Sequence, residues 1–119
     1  MIVGTTRELM NHEYRVGLTP DNVADYVAHG HTVYVETKAG EGAGFSDADY
    51  TAAGAHVTDT SEEVFEKADM IVKVKEPEPC EYDYFRPGQI LFTYLHLAPN
   101  PGICTALLQL HESMHPYLL

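Results

Sequence analysis

Apolar positions along this chain follow two different spacings. Short runs rich in β-branched and aromatic residues, at Ile2–Gly4, His31–Thr37, Ala55–Thr58, Met70–Val74 and Gln89–Leu95, have the character of strands. Between them, apolar residues fall three and four apart, as on one face of a helix. Thr19-Pro20 supplies a cap residue followed by proline at the first helical position, and Val23, Tyr26 and Val27 then form an inward stripe that Gly30 ends. A second helix is expected from Ser46 through Tyr50 to Gly54. A third covers Thr60 to Lys67, capped by Thr60 or Ser61, with Val64 and Phe65 inward. Leu107–Leu110 are expected in a fourth.

Strands that alternate with helices need crossover connections, which are right-handed and cover both faces of the sheet. The pattern therefore predicts an α/β domain with a mostly parallel, doubly wound sheet in three layers, Rossmann- or flavodoxin-like. At 119 residues the chain has material for one such domain and not for two.

Charge narrows the choice of partners. Seven Lys and Arg against 18 Asp and Glu give a formal charge of -11, which repels nucleic acid and anionic membrane surfaces. No apolar run approaches the roughly 18 to 20 residues that span a bilayer, and Met1 to Leu9 lack a signal-peptide core, so a cytoplasmic protein is expected. Cys80 and Cys104 have neither metal-site spacing nor the density of a disulfide scaffold, and reduced thiols are the expectation. His12, His29, His31, His56, His111 and His115 show no ligand spacing, so no metal is expected.

In an open parallel sheet the carboxyl ends of the strands share one edge, and ligands bind there. Of the seven Lys and Arg residues, Arg7 and Arg15 follow the first expected strand, and Lys73 and Lys75 lie at the end of the fourth. His96, after the fifth, adds a group that titrates near neutral pH. Such a gathering on an acidic domain suits a small carboxylate, since guanidinium clamps one bidentately and ammonium meets it as a point charge. Each residue also has an ordinary reading: Arg15 paired with Glu8 or Glu13 on a solvated loop, Lys73 and Lys75 guarding a sheet edge, His96 as a hydrogen-bonded structural histidine. Pattern alone leaves both readings open. Gly40-Glu41-Gly42-Ala43-Gly44 also follows a strand, but a dinucleotide fingerprint requires glycine where Phe45 stands. That stretch is expected to be a turn, and no cofactor-binding residue is assigned.

Longer stretches carry a resemblance. Gly4-Thr5-Thr6-Arg7-Glu8, Asn11-His12-Glu13-Tyr14-Arg15-Val16-Gly17-Leu18-Thr19-Pro20, and Val35-Glu36-Thr37 with 39–50 resemble the N-terminal signature shared by alanine dehydrogenases and nicotinamide nucleotide transhydrogenases. The chain departs from it at Thr6, where proline is usual, and at Gly17, where alanine is usual. Residues 68–77, which contain Lys73 and Lys75, and 88–98, which contain His96, resemble the alanine dehydrogenase branch, whereas the transhydrogenase branch generally lacks that lysine and histidine. The resemblance implies an NAD-dependent L-alanine dehydrogenase, an oxidoreductase on CH–NH2 donors that serves L-alanine catabolism by converting L-alanine, NAD and water to pyruvate, ammonium and NADH. It further implies that Arg15 and Lys75 hold the carboxylate and carbonyl oxygens of pyruvate and that His96 is the proton donor and acceptor.

In that family NAD is bound by a second domain, and the protein is a homo-oligomer. Residues 1–110 are then expected to be an incomplete substrate domain, 111–119 a divergent tail of a frameshifted or prematurely stopped chain, and the NAD-binding domain absent. Such a polypeptide is expected to bind L-alanine or pyruvate and to be inactive by itself. The alternatives are a half-enzyme that needs a separate chain carrying the NAD domain, and a non-catalytic module that binds a small carboxylate or a partner protein.

Overall fold

A computed structural model of the chain describes residues 1–9, 13–75 and 77–93. Its centre is a sheet of five strands: β1 (Ile2–Thr5), β2 (Thr32–Glu36), β3 (His56–Thr58), β4 (Met70–Val72) and β5 (Ile90–Phe92). They lie in the order β3-β2-β1-β4-β5, with every pairing parallel. The chain thus steps outward from β1 to β3, returns across the sheet, and steps outward again on the other side. The expected doubly wound α/β fold is present.

Strand side chains alternate between two cores. Val3, Val33, Val35 and Val72 pack on one face with Leu18, Val23 and Tyr50. Ile71 and Leu91 pack on the other with Val64, Phe65, Ala68 and Phe85. The first face is covered by α1 (Pro20–Ala28) and α2 (Asp47–Ala52), the second by α3 (Ser61–Lys67) and a 3-10 turn at Pro79–Tyr84.

Local chemistry explains where the helices start. Thr19 accepts from the Asn22 amide at 3.2 Å while the Asn22 side chain accepts from the Thr19 amide at 3.0 Å, a reciprocal cap that meets two otherwise unpaired donors. Ser46 and Asp49 form the same arrangement on α2. Thr60, rather than Ser61, caps α3. At its other end the fully buried Gln89 donates from Nε2 to the carbonyls of Phe65 and Ala68, at 2.8 and 2.9 Å, meeting acceptors that the last turn leaves open.

Several expectations are corrected. Val27 is exposed rather than inward, because it sits at the seam with Gly54 and not over the sheet. Strand β4 ends at Val72 instead of Val74: the amides of Val74 and Lys75 leave the ladder and bond to the Glu8 carboxylate. Strand β5 begins at Ile90, since Gln89 serves α3, and the 3-10 turn at Pro79–Tyr84 had no apolar period to announce it. The fourth helix expected around Leu107–Leu110 lies outside the described residues. Among the described residues no helix is long and apolar enough to cross a membrane.

Candidate functional site

The carboxyl ends of β1, β2 and β4 meet at one edge, and the loop after β1 runs across it. Thr5 donates its hydroxyl to the Val72 carbonyl at 2.8 Å and pins the end of β1 to the end of β4. Glu8, buried, accepts from the amides of Val74 and Lys75, each at 3.1 Å. It thereby gathers the segment that carries Lys75. Burial pushes the Glu8 carboxyl above the usual carboxylate range, an effect that Lys73 and the two amides oppose and that Glu81 reinforces.

Lys73 is not an exposed edge charge. Its side chain is 1% exposed, with Nζ 3.7 Å from a Glu8 oxygen, 3.5 Å from a Glu81 oxygen and 3.5 Å from the Thr6 hydroxyl. A buried ammonium needs such company, because desolvation alone would discharge it. Thr6 departs from the proline of the resembled signature, and here its hydroxyl faces the ammonium. The ion cluster ties β1, β4 and the 3-10 turn together beneath the edge.

Arg15 stands above it. Its guanidinium is 69% exposed and donates from Nε and Nη2 to the two oxygens of Glu13, at 3.0 and 2.9 Å, while the Arg15 amide donates to the same carboxylate at 2.9 Å. Glu13 itself is only 6% exposed at its side chain. The Arg15 bonds hold its carboxyl down at about 2, with a further pull from the Lys75 ammonium, so both cations act on one carboxylate. Glu13 engages the Nε–Nη2 side of the guanidinium and leaves Nη1 outside that pair, so the exposed fork retains donors that a second carboxylate could use.

Arg7 contributes its main chain, donating to Glu36 at 2.7 Å. Burial raises the Glu36 carboxyl, and the Arg7 amide and charge oppose that rise. Next to β2, Lys38 holds a left-handed backbone (φ 66°) and donates its amide to Asp47 at 2.8 Å. The glycine stretch forms a 3-10 turn at Glu41–Ala43, as a turn was expected. A Cβ on Gly42 would lie 2.9 Å from the Tyr14 carbonyl, so glycine there lets the turn support the Arg15 loop. The helix that follows opens with Asp47 and Asp49, which repel a pyrophosphate, so this turn does not fit the NAD phosphates.

Among the described residues, two hollows lie beside the site. One of about 310 Å3 lies between the Arg15 loop and the glycine turn, lined by Arg7, Glu8, Glu13, Arg15, Lys38 and Gly42 among others. The other, about 590 Å3, lies beside α1 along Leu18, Tyr26, Val72 and Phe92, with no lysine or arginine among its described lining residues. The smaller hollow brings the cations Arg7, Arg15 and Lys38 together with the carboxylates Glu8, Glu13 and Glu41, Lys75 is not among its lining residues, and its size suits a small molecule. Among the described residues no group of His, Cys, Asp and Glu could hold a metal ion. His96 lies outside the described residues. Arg15 and Lys75 are brought to one edge through Glu13, whereas Lys73 is withdrawn from it.

Glu8, Glu13 and Glu81 are the site residues that sequence pattern did not assign. The Glu13-x-Arg15 spacing carried a signal for one pair, but nothing in the pattern of residues 78–84 marked Glu81 as buried.

Known proteins share this arrangement of elements. The family model described as alanine dehydrogenase/PNT, N-terminal domain, matches residues 4–114. An alanine dehydrogenase of Methanococcus maripaludis is 51% identical over 108 residues, covering 91% of this chain and 29% of the relative. One from Bacillus subtilis is 50% identical over 107 residues, covering 90% and 28%. Among solved structures, an L-alanine dehydrogenase superposes with a TM-score of 0.89 at 47% identity, covering 92% of this chain and 30% of that one. A transhydrogenase from Sinorhizobium meliloti reaches 0.81 at 29% identity, covering 90% and 30%. The chain therefore spans under a third of the length of these relatives. With a matching family model over nearly all of its residues, and with the parallel sheet order of an L-alanine dehydrogenase, the chain belongs to the alanine dehydrogenase/PNT N-terminal domain family.

Proposed function

We propose that this chain supplies the substrate-binding part of an NAD-dependent L-alanine dehydrogenase, with Arg15 and Lys75 binding pyruvate or L-alanine and His96 transferring the proton. The observation that supports the reading is the pairing of Arg15 with Glu13 beside the loop that Glu8 holds against Lys75: the Glu13 carboxylate takes two bonds from the Arg15 guanidinium and also feels the Lys75 charge. The side of the exposed Arg15 guanidinium that Glu13 does not engage takes the substrate carboxylate. Lys75 takes the carbonyl oxygen, where its charge counts most as negative charge develops during reaction. His96 then serves as general base in the oxidation direction.

Residues 1–110 act as the substrate domain and 111–119 as a divergent tail. NAD, which supplies hydride acceptance, would be held by a further domain, either of the same polypeptide or of a separate chain. The 119-residue polypeptide by itself then binds the substrate without turning it over, since hydride transfer needs a fixed nicotinamide. The protein is read as cytoplasmic and as part of a homo-oligomer when whole.

The test is a chimera in which this chain replaces the matching N-terminal portion of the Bacillus subtilis relative. NADH formation from L-alanine is expected, and His96→Ala should lower turnover by about a hundredfold or more. Arg15→Lys, which keeps charge and loses the planar fork, should raise KM more than it lowers kcat. Wild-type turnover in the His96→Ala chimera would remove His96 from the mechanism, and an unaltered KM in Arg15→Lys would remove Arg15.

A further inference from the structure

Behind the cations of the edge stand buried carboxylates, and Glu8 is the one that holds the main chain of Lys75. Its two carboxylate oxygens each accept one of two consecutive main-chain amides, Val74 to Oε2 and Lys75 to Oε1, at 3.1 Å. The same Oε1 faces the ammonium of Lys73 at 3.7 Å, and that ammonium is held from its other side by Glu81 and Thr6. The Lys75 carbonyl in turn accepts from the Thr93 hydroxyl at 3.0 Å. Lys75 is therefore fixed on both sides of its own α-carbon, by Glu8 through its amide and by Thr93 through its carbonyl. Neither contact is part of a strand ladder, since β4 has already ended at Val72.

A neutral backbone turn would leave these amides to water. Here a buried carboxylate receives them, and the charge that makes such bonds strong requires a counter-ion that Lys73 provides. The groups that act electrostatically on Glu8 are Lys73 at the end of β4 and Glu81 on the 3-10 turn, and Arg15 across the loop also feels Glu8.

We infer that Glu8 is a positioning residue of this site: its carboxylate, seated on Lys73, clasps the amides of Val74 and Lys75 and thereby sets where Lys75 meets the substrate. This rests on the reading of Lys75 as a substrate-binding lysine. The clasp itself is independent of that reading.

The two are separated by one set of measurements on the full 119-residue chain labelled with 15N. In the wild-type protein the amide protons of Val74 and Lys75 should titrate together as Glu8 takes up a proton, and both should exchange slowly with solvent. Glu8→Gln keeps the shape but has a single acceptor oxygen and no charge. It should abolish the shared titration and speed exchange at one or both amides by about tenfold, the equivalent of one lost hydrogen bond of about 1.4 kcal/mol. Glu81→Gln, which leaves the clasp intact, should keep the shared titration with a lowered midpoint, and it guards against a Glu8 variant that fails to fold. Absence of a shared titration in both the wild type and Glu81→Gln overturns the inference. Pyruvate added to the same samples should shift the Lys75 amide in the wild type and bind at least about tenfold more weakly to Glu8→Gln. A shared titration without any response to pyruvate would uphold the clasp and overturn the substrate role of Lys75. Equal pyruvate affinity in the wild type and a folded Glu8→Gln would overturn the positioning role.

Discussion

Replacing Lys73 by methionine should be among the most damaging single changes in this domain, although Lys73 touches no substrate. The side chains of Lys73, Glu8 and Glu81 are all 2% exposed or less, and the ammonium lies 3.7 and 3.5 Å from the two carboxylates. At an effective dielectric of about 20, each attraction is worth about 4.5 kcal/mol before the cost of taking the ions out of water. Methionine fills the space of the aliphatic stem but leaves two buried carboxylates facing one another without a cation. Breaking a buried pair in this way costs about 3–5 kcal/mol, a large part of the roughly 6–18 kcal/mol expected for a domain of this length. With a urea slope of about 1–3 kcal/mol per molar, the midpoint should fall by more than about 1 M. The sign of the pH dependence gives a second check. Without Lys73, the folded-state pKa of Glu8 rises further above its unfolded value. The stability linked to its protonation is then fully present below the unfolded pKa and lost as pH rises through the folded one. The gap between variant and wild type should therefore be wide near pH 8 and narrow near about pH 5. Urea titrations at both pH values provide the measurement. A loss under about 1 kcal/mol at neutral pH, or a gap that does not change with pH, would refute the account of a buried ion cluster.

Other changes test neighbouring parts of the frame. Tyr50→Phe removes the buried hydroxyl that donates to the Leu18 carbonyl at 2.7 Å, and should lower stability by about 1–3 kcal/mol in urea titration because that carbonyl loses its partner. Gly4→Ala should cost about 1–3 kcal/mol, read as a fall in the thermal midpoint, since its Cβ would lie 2.5 Å from a Val64 methyl and 2.9 Å from the Ala68 Cβ and must push α3 off the sheet. Glu13 behaves oppositely to Glu8 on acidification: its carboxyl is held down at about 2, so its contribution is present above the unfolded value of 4.5 and lost as pH falls through about 2. Glu13→Gln should flatten that acid limb in a urea midpoint series across pH, and an unchanged limb would show that the Arg15 pair adds nothing in solution.

The fold was legible where one strong local signal agreed with its surroundings. Thr19-Pro20 and Ser46 began helices because their side chains meet backbone donors within the same turn, and the alternation of Ile71 and Val72 reports directly on the two covered faces. The ends of β4 and β5 were less legible, since a strand stops where its amides find better partners, and Glu8 and Gln89 are distant in sequence from the amides and carbonyls they serve. Lys73 and Lys75 look alike in the sequence, two positions apart in an apolar run. The pleat would set them on the same side of a continuing strand, yet the strand ends at Val72, before either, and Lys73 is buried while Lys75 is half-buried. Buried ion clusters depend on contacts made across the fold, so no periodicity announces them.

Glutamate, which gives this chain much of its negative charge, is also what organises its cations. Arg15 is held by Glu13, Lys73 by Glu8 and Glu81, the Lys75 amide by Glu8 and the Arg7 amide by Glu36. Around the candidate site, Arg7, Arg15, Lys73 and Lys75 are therefore balanced by Glu8, Glu13, Glu36 and Glu81. A patch of four unopposed cations would attract phosphates and polyanions without discrimination. Here each of the four cations has a glutamate beside its side chain or its main chain, so local charge is paired, and Arg15 keeps a planar fork suited to a carboxylate. On the proposed reading, in which Arg15 and Lys75 bind the substrate, discrimination in favour of a small monoanion would rest on its reaching both donors at once, since a ligand that met only one would gain little beyond what the glutamates already provide.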